Sequence, residues 1–75
     1  MKLTIKQLND FQQGLQTYIE NNPAQRYGQA TFNYLYELYP EIANLIRGKQ
    51  EDPFYDDNKL SAFYQWLEDE VLIKQ

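Results

Sequence analysis

Asp52, Asp56 and Asp57, in the string DPFYDD, form the only grouping in this chain whose residue types could hold a metal ion or move a proton. Hard cations need several oxygens converging at about 2.3–2.6 Å, and calcium loops achieve this with alternating ligands around a glycine turn. DPFYDD has neither the alternation nor the glycine. The same aspartates suit a structural task, because Asp56 and Asp57 stand just before an apolar-periodic segment. There a carboxylate can cap free amides and meet the positive end of a helix dipole. Catalysis by paired carboxylates would need a cleft, and 75 residues offer little room for one. No catalytic residue, metal or cofactor is expected.

The residue types that are missing narrow the chemistry further. There is no Cys and no His, which removes thiolate nucleophiles, imidazole bases, disulfides and Cys/His zinc sites. Apart from Ser61 and the threonines Thr4, Thr17 and Thr31, little remains that could act as a nucleophile, so a non-enzymatic role is expected. Seven Lys and Arg are scattered among eleven Asp and Glu. Affinity for phosphates comes largely from bases, so direct nucleic-acid binding is disfavoured. The opening MKLTIKQLND has no apolar run of signal-peptide type, and no window approaches the roughly 20 apolar residues of a membrane span. A soluble chain that stays in the cytoplasm is expected, with which the absence of Cys is compatible.

Two groups of residues could instead recognise a partner. The net charge of -4 lies entirely in the second half of the chain, where Glu51, Asp52, Asp56, Asp57, Glu68, Asp69 and Glu70 are opposed locally only by Lys59. Such a surface either keeps a small protein dispersed or docks on a basic site of another protein. Asp56, Asp57, Glu68 and Asp69 are the candidate contacts. The second group is aromatic: seven tyrosines exceed what one small core can hold. Tyr36 and Tyr39 are the candidate exposed pair, tyrosine being a favoured interface residue.

These residues must be positioned by helices, because nothing in the chain alternates with the period of two that marks a half-buried strand. Thr4 with Gln7 forms a capping-box pattern. Behind it Ile5, Leu8, Phe11, Leu15 and Ile19 recur at helical spacing, predicting a first helix over about residues 5–20. Gly14 in its middle admits a close neighbour or is merely tolerated, at about 1 kcal/mol relative to Ala. Asn21, Asn22 and Pro23 end it. The next stripe, Tyr27, Ala30, Thr31, Tyr34, Leu35 and Leu38, widened by Phe32, Tyr36 and Tyr39, predicts a second helix that stops before Pro40. A short third helix fits residues 41–47, with Gly48 past its end. After the loop GKQEDPFYDDN, Leu60, Phe63, Tyr64, Leu67 and Val71 predict a fourth helix over about residues 59–72, capped by Asp57 or Asn58. The expected fold is all-α, a single domain over residues 1–75 built as a compact bundle of three longer helices and one short one. Arg26, just before the second helix, is expected to reach Asp56 or Asp57 through a bidentate ion pair that ties the starts of helices two and four together.

The strings RYGQA, PEIA, IRG and DPFYDD, with an asparagine and leucine between the first two, resemble a family of small phage and prophage proteins. The resemblance covers about residues 26–68. It implies a mobile-element setting, in which small acidic proteins often act by binding a host protein, and it assigns no catalytic residue. A protein-binding module that modulates or inhibits a host protein is therefore the leading expectation. The alternative is a self-associating structural or assembly accessory.

Overall fold

The computed structural model describes residues 1–73. Helix α1 spans Ile5–Asn21 and begins with a reciprocal cap. Thr4 Oγ1 accepts from the Gln7 N–H at 3.1 Å, while the Gln7 side chain accepts from the Thr4 N–H at 2.9 Å. At the other end the Asn22 side-chain amide donates to the Tyr18 carbonyl at 2.8 Å, satisfying one of the acceptors that a helix terminus leaves open. Leu8, Phe11 and Leu15 are buried along its inner line. Ile5, in the same stripe, is 63% exposed because it sits at the open end of the helix.

Helix α2 (Tyr27–Leu38) packs on α1 through aromatic rings. Tyr34 stacks on Phe11 at 5.5 Å and lies 5.2 Å from Tyr18. Its hydroxyl presses on the bare Cα of Gly14, where any Cβ would collide with it. The missing side chain therefore serves close helix contact. The apolar stripe expected along α2 is corrected in two places, where Tyr27 and Leu38 are 61% and 44% exposed; Phe32, on its widened edge, is buried. Helical periodicity gives the direction of a side chain around the axis. It does not say how far along the axis the covering elements reach, and Tyr27 and Leu38 are the first and last residues of the helix.

Tyr39 joins α2 to α3 (Pro40–Ile46), its N–H bonded back to Leu35 and its carbonyl accepting from Ala43. Pro40 occupies the first turn, where its missing N–H costs nothing. Gly48 follows α3 with φ +78°, the left-handed conformation that closes many helices.

The expected fourth helix is also corrected. Its first turn, Asp57–Lys59, is a tight 3-10 turn; α4 proper is Leu60–Trp66; and Leu67–Val71 winds as a π-helix. Phe63, Leu67 and Val71 supply the reason, since all three are essentially fully buried. A four-residue spacing overshoots the 3.6-residue turn by about 40°. A turn closed by i→i−5 bonds, such as Leu72 N–H to the Leu67 carbonyl at 2.8 Å, winds more slowly and brings Val71 back toward the core. The two ends of the chain then meet: the Leu3 N–H donates to Val71 at 2.9 Å and the Ile73 N–H to Leu3 at 2.8 Å, with Leu3 fully buried. The core joins Leu3, Phe11, Leu35, Ile42, Ile46, Phe63 and Leu67 across all the helices. No helix among the described residues is long and apolar enough to cross a membrane.

Candidate partner-binding surfaces

The three loop aspartates are each committed within the fold. Asp52 accepts from the Gly48 N–H at 2.8 Å and from the Phe54 N–H at 3.0 Å, so both of its oxygens brace the loop after α3. Asp56 caps the 3-10 turn, accepting from the Asn58 N–H at 2.9 Å. Asp57 reaches across the molecule and accepts from the Gly28 N–H at 2.8 Å. Gly28 is the second residue of α2, and the residue before that helix, Arg26, has no side-chain acceptor to offer. A carboxylate 29 residues further along thus supplies the N-terminal cap that the local sequence lacks. Among the described residues, no group of three or more acidic side chains is placed to hold a metal ion.

Arg26 does not make the expected bidentate pair. Its Nη donates to the Phe54 carbonyl at 2.7 Å, and its Nε lies 3.8 Å from Asp57 Oδ1. Both side chains are about half exposed, so water screens the ionic contact and the hydrogen bond to the carbonyl is the firmer tie. Asp56 takes no part, because capping uses it. The Pro53 carbonyl and the Asp57 carboxylate close over Gly28, whose Cα has no room for a Cβ. RYGQA and DPFYDD, far apart in sequence, are therefore two halves of one structural joint.

Tyr36 and Tyr39 have different surroundings. Tyr39 is half-buried and packs against the core. Tyr36 is 44% exposed and carries the Arg47 guanidinium 5.3 Å above its ring centroid; the same guanidinium lies 5.3 Å from Phe32. Phe32 meets Phe54 edge-on at 5.7 Å, and Phe54 meets Tyr55 at 4.7 Å, so a row of rings runs from Tyr36 to Tyr55. Tyr55 is 86% exposed. Pattern reasoning missed Arg47 and Tyr55 as surface features; the signal was a lone arginine next to an aromatic-rich loop.

The remaining acids behave differently from the loop aspartates. Glu68 and Asp69 are exposed on the π-helical turn. Asp69 joins Glu51, Ala62, Gln65, Trp66 and Glu70 around a surface cleft of about 260 Å³ whose lining contains no Lys or Arg. Asp69 accepts from the Gln65 amide at 3.1 Å, and Lys2 bonds the main-chain carbonyl of Glu70 at 2.6 Å. Among the described residues, no ion pair engages the carboxylates of Glu51, Glu68, Asp69 or Glu70. The charge pattern places Glu51 and Glu70 in the acidic surface without singling them out as contacts, and it misses Trp66, although residues 62, 66, 69 and 70 share one helix side, away from the apolar seam.

A separate groove of about 250 Å³ has Leu15, Ile19, Tyr27, Leu60 and Tyr64 in its lining. Burial pushes the Tyr64 hydroxyl above its ordinary value of 10.0. No family model matches the chain, and comparison with curated proteins and with solved structures returns no match.

Proposed function

We propose that this chain is a small, non-enzymatic protein-binding module of phage or mobile-element type that docks on a basic surface of a host protein and modulates or inhibits it. The observation that carries this reading is the cleft built from Glu51, Asp69, Glu70 and Trp66. Among the described residues its carboxylates make no ion pair and accept no main-chain N–H, whereas Asp52, Asp56 and Asp57 are taken up by main-chain N–H groups that hold the loop. An indole face among carboxylates suits a lysine or arginine side chain, which gains from both charge and ring. Glu68 is exposed on the same π-helical turn. A standard interface takes about 800 Å² from each partner, roughly a sixth of the 4940 Å² exposed here. Occlusion of a basic site would follow from binding alone, with no chemistry required. The phage-like strings support the setting, although their best-defined residues serve the fold.

The test is affinity capture from nuclease-treated lysate of the native host. Wild type is compared with a Glu51→Gln, Asp69→Asn, Glu70→Gln variant, with circular dichroism to verify that both fold alike. One stoichiometric host protein, lost with the variant and released by salt, is the expected result. Capture of nothing, or only of further copies of the chain, sinks the docking reading and leaves the self-associating accessory in its place.

A further inference from the structure

We propose that the cleft beside Arg47 is a carboxylate-binding site that takes an acidic side chain of a protein partner. This cleft, of about 170 Å³, is lined by Phe32, Arg47, Asp52, Phe54 and Tyr55. That is below the ~300–1,000 Å³ of pockets that enclose cofactors and other small molecules, and it suits a single side chain. It shares no residue with the acidic cleft, so either site can fail alone.

Arg47 caps the end of α3, and its guanidinium lies over two rings of α2, 5.3 Å from Phe32 and 5.3 Å from Tyr36. Stacking on a π face orients the group while leaving its in-plane N–H donors unused. Among the described residues, no protein acceptor takes a hydrogen bond from this side chain and no carboxylate lies within ion-pair distance. Arg26, by contrast, has given its fork to the Phe54 carbonyl. The other charge in the cleft is Asp52, whose two oxygens already accept from the Gly48 and Phe54 N–H groups. What the cleft offers is therefore a guanidinium stacked on α2 and without an ion pair among the described residues, beside an Asp52 carboxylate whose oxygens are turned to main-chain N–H groups. A planar carboxylate matches it with two parallel charge-assisted hydrogen bonds. Tyr55, 86% exposed at the rim, adds a rigid ring and a free hydroxyl. A phosphate could meet the same fork, but a nucleic-acid backbone needs several bases together, and Arg47 is the only one lining this cleft.

The test is NMR of the full chain, following the Arg47 Nε–H signal during titration into the millimolar range. The probes are a blocked Ala-Glu-Ala peptide, its Ala-Gln-Ala counterpart and inorganic phosphate. Saturable movement of the Arg47 signal with the glutamyl peptide is expected. The glutaminyl peptide should bind at least about tenfold more weakly, and Arg47→Lys should weaken glutamyl binding about tenfold although it keeps the charge. Movement that does not saturate, equal response to both peptides, or undiminished binding by Arg47→Lys would overturn the assignment. Tighter binding of phosphate than of the glutamyl peptide would overturn it in favour of a phosphate ligand. The wild-type titrations need no variant to fold.

Discussion

Replacing Gly28 with Ala should destabilise the fold by about 2 kcal/mol, and the structure says why a change that normally favours a helix does the reverse here. Ala improves on Gly inside a helix by about 1 kcal/mol, and less near the first turn. Against this, the new Cβ would collide with the Pro53 carbonyl and stand 2.8 Å from Asp57 Oδ1. The Pro53 atoms are main chain, so residues 52–57 must move away from α2. Overpacking of this kind costs about 1–3 kcal/mol. The movement also weakens the bond from Gly28 N–H to Asp57, a helix cap worth about 1 kcal/mol, and the Arg26 bond to Phe54. The net of about 2 kcal/mol corresponds to a fall in Tm of about 8–16 °C for a domain of this size. Thermal and urea unfolding of the purified variant, monitored by circular dichroism, measure it. A Gly28→Ala protein as stable as wild type, or more so, would refute the claim that the loop closes on this backbone position.

Other glycines provide the contrast, because each is glycine for a different reason. Gly14→Ala meets only the Tyr34 ring, which borders an open groove and can swing, so its cost should fall at least about 1 kcal/mol below that of Gly28→Ala in the same unfolding assay. Gly48→Ala has open space around it but a φ of +78°, and should cost about 1 kcal/mol from backbone conformation alone. Asp57→Ala should lose about 1–2 kcal/mol by uncapping α2, with Asp57→Asn recovering much of that because it keeps an acceptor oxygen; equal loss in both would point to charge rather than capping. Tyr64 contributes to the loss of stability in alkali. Burial raises its pKa in the folded state, so the unfolded chain deprotonates first, and this contribution is complete below about pH 10 and lost as pH rises through the folded value. Tyr64→Phe should therefore lose less stability than wild type between neutral and strongly alkaline pH in denaturant titrations, and parallel curves would count against it.

Much of the architecture could be read from local signals. The Thr4/Gln7 box, the stop at Asn22 and Pro23, Pro40 at the head of α3 and Gly48 beyond its end all act within a turn or two of themselves, which is why each was visible without a fold. The interior apolar residues of each stripe were equally legible, since helical period alone aims Leu8, Phe11 and Leu15, or Phe63 and Leu67, at one side. Aspartate roles were not. Asp56 caps its own turn, whereas Asp57, next to it and chemically identical, caps a helix that begins 30 residues earlier, and no local rule separates them.

The sequence by itself determined that the chain is helical, where its first three helices start and stop to within a residue or two, and that Cys and His chemistry is closed to it. Those properties depend on residue type and on spacings of three or four. Tertiary structure alone decided that Asp57 is consumed in holding the loop to α2 and that Glu51 and Asp69 gather beside Trp66. It alone stacked Arg47 on Phe32 and Tyr36, and wound the last turn into a π-helix so that Val71 faces the core. The physical reason is that a carboxylate or guanidinium is assigned by whatever donor, acceptor or ring comes within about 3–5 Å of it. For Asp57 and Arg47 the partners come from segments 11 to 29 residues away, brought together only when the helices pack.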